Sequence, residues 1–193
     1  MKKSQACRLL FSLCGLLLMA SPAFSQKHGK NVEVYPMPVD ENSGKITYQQ
    51  VVPMPETPAD SLFDRAVVWA NSYFQNPTKV IQTADKGNGV LICRSSLKIH
   101  TPTKDGKTEM MAGVVHYTLR IEAKSGRYRY TLTEFACKNG AVTQDCEQWL
   151  DKGKPEWTPV RNGHLKEIDD HCRALVQSLE KGMQAKKALH DDW

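Results

Sequence analysis

TEMMAGVVHYTLRIEAKSGRYRYTLTEFAC, residues 108–137, decides the fold. Val115, Tyr117, Leu119 and Ile121 share one side of an extended strand, and Val114, His116, Thr118, Arg120 and Glu122 share the other. KSGR, 124–127, reads as a turn. Beyond it Tyr128, Tyr130 and Leu132 alternate with Arg129, Thr131 and Thr133. A period of two with one apolar and one polar side marks antiparallel strands that pack on a core and leave the other face to water.

Working outward, KVIQTADKGNGVLICRSSLKIH (79–100) holds two β-rich runs around Asp85–Gly89. A phosphate-cradling loop would need a Lys-Ser/Thr pair leading into a helix. Here an apolar strand follows, so the stretch reads as a hairpin turn in which Gly87 and Gly89 supply positive φ and Asn88 tolerates it. KITYQQVVP (45–53) reads as a further strand. In TPADSLFDRAVVWANSYFQNP (57–77), Thr57 fits a helix N-cap with Asp60 completing a capping box, and Pro58 fits the first helical turn. Leu62, Ala66, Trp69, Ala70 and Tyr73 form the apolar face, and Asn76-Pro77 ends the helix. GKPEWTPVRNG (153–163) reads as a loop. A last helix, 164–187, carries Leu165, Ile168, Cys172, Leu175, Val176, Leu179 and Met183 in one stripe. The order β-α-β-β-β-β-α implies an α+β fold: one antiparallel-rich sheet, two helices on one face, the other face open.

VVPMPETPADSLFDRAVVWANSYFQNPTKVIQTADKGNG resembles a domain of unknown function with a TATA-binding-protein-like (TBP-like) fold, found in exported proteins of Bacteroidetes-type Gram-negative bacteria. The features that carry the resemblance are Val51-Val52-Pro53, the helix ending Trp69 to Phe74, Val80-Ile81-Gln82 before Asp85-Lys86, the long strand pair, and LDKGKPEW at 150–157. It spans residues 45–185. It implies the fold and an exported location and brings no functional residues with it. A fold shared with a DNA-binding protein does not imply DNA binding.

The N-terminus reads as a signal peptide over residues 1–25: basic Lys2, Lys3 and Arg8, an apolar run from Leu9 to Ala20, and a cleavage site at Ala23-Phe24-Ser25. Leu13 is too bulky for a lipoprotein site at Cys14. The run is also shorter than the ~20 residues of a comfortable transmembrane helix. The expectation is an exported protein, periplasmic or secreted, with no transmembrane span once the signal is removed. Residues 26–44 read as a flexible tether, with partial ordering against the domain as the alternative, and 45–189 as the domain. Removing the three basic residues of the signal leaves 23 basic against 21 acidic residues, a net +2. That is not the footprint of a nucleic-acid binder, and no aromatic row is placed to stack bases.

Four cysteines remain after the signal. Cys137 and Cys146 bracket a polar segment and read as a local disulfide. Cys93 and Cys172 read as core thiols or as a second, sheet-to-helix pair. His164, Glu167 and His171 share a helix flank without metal-ligand spacing, so neither metal nor cofactor is expected. No nucleophile elbow is present, and no acidic pair is set up for glycoside hydrolysis. The leading functional expectation is a non-enzymatic binding module of the cell envelope. Its surface is the open sheet face with Arg94, Lys98, His116, Arg120 and Arg129, and its partner is an envelope protein, an anionic glycan or a lipid head group. The alternative is a hydrolase acting on an envelope or dietary polymer.

Overall fold

A computed structural model describes residues 32–184; the expected signal peptide lies outside the described residues. A six-stranded antiparallel sheet runs β1-β5-β4-β3-β2, with β6 pairing β5 beside β1. The strands are β1 (Tyr48–Pro53), β2 (Ile81–Asp85), β3 (Val90–Pro102), β4 (Glu109–Lys124), β5 (Arg127–Asn139) and β6 (Val142–Asp145). Helix α1 (Ala59–Tyr73) and the long helix α3 (Pro159–Gln184) pack on one face. A single turn, α2 (Pro77–Val80), precedes β2, and a short 3-10 turn (Cys146–Leu150) follows β6.

The alternation read from the sequence sets which face is covered. Leu91, Cys93, Leu97, Ile99, Val115, Tyr117, Leu119, Ile121, Tyr128, Tyr130 and Leu132 point inward and are buried. Against them lie Leu62, Ala66, Trp69 and Ala70 of α1, and Leu165, Ile168, Cys172, Leu175, Leu179 and Met183 of α3. At about 25 cal/mol per Å2 of apolar surface removed from water, this layer is the main stabilising term. The two helices cross closely at Gly182, where an added Cβ would lie 2.6 Å from Trp69 Cδ1.

Several local expectations need correction. Thr57 does not cap α1. The N-cap is Pro58, with no side-chain cap, and the Thr57 hydroxyl turns back to the Pro55 carbonyl at 3.4 Å. In the 85–89 turn only Gly89 has a positive φ, +65°, and an added Cβ would strike the Ala123 carbonyl at 2.4 Å. Asp85 ties the turn by accepting from the Asn88 backbone N–H at 3.0 Å and from its side-chain amide at 2.7 Å. Helix α3 begins at Pro159, five residues before the expected start, because the Thr158 hydroxyl accepts the Arg161 N–H at 3.2 Å. The segment between Cys137 and Cys146 is not a loop but the β5–β6 hairpin, with Cys137 paired to Gln144.

Residues 32–44 do not form a free tether. Val34, Tyr35 and Met37 pack on the core. The Tyr35 hydroxyl donates to Asp169 Oδ2 at 2.8 Å, and Ile46 is fully buried. A few apolar and aromatic residues suffice to dock an otherwise polar segment when a buried acceptor awaits them. Cys93, Cys137, Cys146 and Cys172 are free thiols in this structure, and all are buried, Cys93 and Cys172 as core thiols. Burial pushes each thiol up, Cys93 to about 12.

Candidate functional site

The uncovered face carries the outward residues of β3, β4, β5 and β1. Antiparallel register sets their neighbours: Arg94 is opposite Thr118, Ser96 opposite His116, Lys98 opposite Val114, and Glu122 opposite Arg129. All five residues expected to bind do lie on this face. The structure divides them into two groups.

Arg120 and Arg129 converge on Glu122. Arg129 Nε donates to Glu122 Oε2 at 2.8 Å, and Arg120 Nη2 donates to Oε1 at 3.3 Å. Partial burial of Glu122 works against its ionisation. The two guanidinium groups outweigh that and hold its carboxyl below the usual range. Two of the expected cations are therefore largely committed to an internal triad with one net charge.

The side chains of Arg94, Lys98 and His116 make no hydrogen bond or ion pair among the described residues, and all three residues are exposed. Arg94 and His116 line a shallow groove with Ser96, Thr118, Glu134 and Lys79 of α2. Neither Lys79 nor Glu134 is among the residues expected on this surface. Lys79 sits on a one-turn helix too short to show periodicity. Glu134 arrives through a bulge: Thr118 pairs with Thr133 but His116 pairs with Ala136, so two β5 residues face Tyr117 alone. Glu134 has φ +61°. The bulge turns its carboxylate onto the open face, where it accepts from Thr118 Oγ1 at 2.6 Å, while Phe135 turns inward against Tyr117 and Tyr48. A non-glycine residue at positive φ has no sequence signal.

On the covered side, Asp169 is 2% exposed and gathers three donors: Tyr48 OH at 2.7 Å, Tyr35 OH at 2.8 Å and Arg173 Nε at 2.8 Å. Burial opposes its charge, yet Arg173 and the two tyrosines keep its carboxyl below the ordinary value. His164 and His171 are held below the usual histidine range, chiefly by burial. His164 Nε2 meets Thr101 Oγ1 at 2.9 Å, and His171 Nε2 meets Tyr117 OH at 3.1 Å. Glu167 accepts from the His100 backbone N–H at 2.9 Å and meets its Nδ1 at 2.7 Å. The three residues of the α3 flank thus face three different partners. Every carboxyl group whose acidity is displaced among the described residues (Asp40, Asp85, Asp105, Glu122, Asp169) is displaced downward, away from the raised values of general acids.

Residues 48–138 match a family described as a domain of unknown function (DUF4468) with TBP-like fold. Solved structures share the architecture. A TBP-like protein from Parabacteroides distasonis is 14% identical with a TM-score of 0.62, covering 80% of this chain and 100% of that one. A DUF4468 family protein from Bacteroides ovatus is also 14% identical with a TM-score of 0.62, covering 78% of this chain and 92% of that one. At this identity the likeness shows the fold alone. No curated protein matches the sequence.

Proposed function

We propose that this chain, which matches the model of a domain of unknown function (DUF4468) with TBP-like fold over residues 48–138, is a non-enzymatic binding module whose open sheet face receives an anionic partner. The observation that carries this reading is the division of the face. Arg120 and Arg129 share the one carboxylate of Glu122, whereas Arg94 and Lys98 stand exposed without an acidic partner among the described residues. Opposite charge presented without a built-in counter-ion favours encounter with an anionic surface and makes it salt-dependent.

The test uses residues 26–193 and three defined probes: an acidic peptide, polygalacturonate, and vesicles containing phosphatidylglycerol. The protein should retain at least one probe at low salt and release it as salt rises. Arg94→Glu with Lys98→Glu should abolish retention. Arg120→Glu with Arg129→Glu should weaken it less, since those cations are already engaged. If no probe is retained, or both double variants behave like the native chain, the reading is wrong.

The same reading includes export, with cleavage after Ser25 into a periplasmic or secreted form, and a Cys137–Cys146 disulfide formed in that oxidising setting. The signal-like N-terminus supports the first. The burial of Cys137 in β5 and of Cys146 directly after β6, with Arg161 near both thiols, supports the second. N-terminal sequencing of the protein from its own cells should begin at Gln26; an intact Met1 in the fractionated cytoplasm would refute export.

A further inference from the structure

Strand β2 pairs only with Val90 to Cys93, whereas β3 continues to Pro102. From Arg94 to Ile99 that edge of β3 has no neighbouring strand among the described residues. The next point of closure is His100, whose backbone N–H is taken by Glu167 of α3 at 2.9 Å. At about 3.3 Å per residue the open edge is close to 20 Å long, the length of an ordinary strand. In an antiparallel strand every second residue turns both its N–H and its C=O away from its partner, so this edge offers alternating donors and acceptors in a fixed repeat. Arg94 and Lys98 project from the open face directly beside it, and Lys79 of α2 borders its lower end. None of the three has an ion pair among the described residues. Glu134, which shares the groove with Arg94, accepts from Thr118 and forms no ion pair with these cations, and Glu167 meets His100.

We propose that the β3 edge between Arg94 and Ile99 docks an acidic, extended peptide segment of a partner protein, which adds to the sheet as a strand in line with β2. This rests on the binding-module reading and names its partner class. A row of backbone donors and acceptors matches another peptide backbone. Neither a glycan nor a lipid surface presents groups in that repeat. The cations select for carboxylates on the side chains that fall on the open face.

The probe is the capped octapeptide Thr-Glu-Val-Glu-Val-Glu-Val-Thr, compared with two analogues N-methylated on its odd or its even residues. Binding to residues 26–193 should slow amide exchange at alternate positions within 94–99 by at least tenfold. One N-methylated analogue should bind at least tenfold more weakly than the parent, and the other should bind about as well. Arg94→Glu with Lys98→Glu should weaken the parent peptide at least tenfold with an unchanged circular dichroism spectrum; the N-methyl comparison decides the matter on the native chain if that variant does not fold. Equal binding of all three peptides without slowed exchange at 94–99 would mean that charge alone holds them. That overturns the edge site and leaves the binding face standing, as would retention of vesicles or glycan but not peptide. If no anionic probe binds, both readings fall, and Arg94 and Lys98 serve to keep the edge from pairing.

Discussion

Glu134 and Gly182 show how far a single position can depart from its sequence appearance. Glu134 holds φ +61°, a region that costs a non-glycine residue about 1 kcal/mol or more, and its carboxylate lies among the cations of the open face. Glu134→Gly is expected to change stability by less than about 1 kcal/mol, relief of backbone strain offsetting the lost Thr118 bond. It should tighten binding of any anionic probe by roughly two- to fivefold, the scale of one exposed charge. Urea melts and probe titrations check the two halves separately; weaker binding would show that Glu134 orders the site rather than opposing the ligand. Gly182 sits inside α3, where replacement by alanine ordinarily stabilises by about 1 kcal/mol. Here the new Cβ would lie 2.6 Å from Trp69 Cδ1 and 3.0 Å from its Cβ. Gly182→Ala is expected to destabilise by about 1–2 kcal/mol, seen as a lowered urea midpoint. Nothing in the sequence around either residue announces these contacts, because both are made with residues distant in the chain.

Among the elements, the β5–β6 hairpin and the turn after it carry the clearest consequence. Cys137 pairs with Gln144, Cys146 opens the 3-10 turn two residues later, and both buried thiols lie near the Arg161 guanidinium. Joining them closes a loop of about ten residues and should add roughly 2.5 kcal/mol in the chain-entropy account. Mild oxidation of the unfolded chain followed by refolding should leave two titratable thiols, Cys93 and Cys172, instead of four. Four remaining thiols, or a mixed population of pairings, would rule the hairpin bond out. The strands and the two long helices were legible in the sequence because each repeats its pattern over many residues. Strand β6 and helix α2, at four residues each, were not. An element that short has too few positions for periodicity, and β6 exists only through its pairing with β5.

The whole molecule responds to acid through groups buried between α3 and the sheet. His164 and His171 are held below the ordinary histidine value near 6.5 by burial. As pH falls through about 6.5 the unfolded chain takes up protons there while the folded protein resists, so stability falls with falling pH. Asp169, also depressed, adds a second loss below about pH 4, since its contribution is present above the unfolded value and disappears as pH drops through the folded one. Urea midpoints should therefore decline between pH 7.5 and pH 5.5, and His171→Gln should flatten part of that slope. A midpoint independent of pH over that range would contradict the burial of both imidazoles as neutral groups. Asp169 also links three separate parts of the chain, the 32–44 segment, β1 and α3, through Tyr35, Tyr48 and Arg173.

By itself the sequence determined the α+β class, the order of the long elements, which face of the sheet meets the helices, and that Arg94, Lys98, His116, Arg120 and Arg129 share the other face. These follow from alternation and helical spacing, which are local and survive in any register. Only the tertiary structure decided which of those cations are free. Glu122 meets Arg129 across a strand pair, β2 stops after covering four residues of β3, and a bulge delivers Glu134 beside His116. The Glu122–Arg129 register follows from the tight turn at Ser125-Gly126, but edge length and bulge position depend on how whole strands pack, and alternation along one strand holds no record of them.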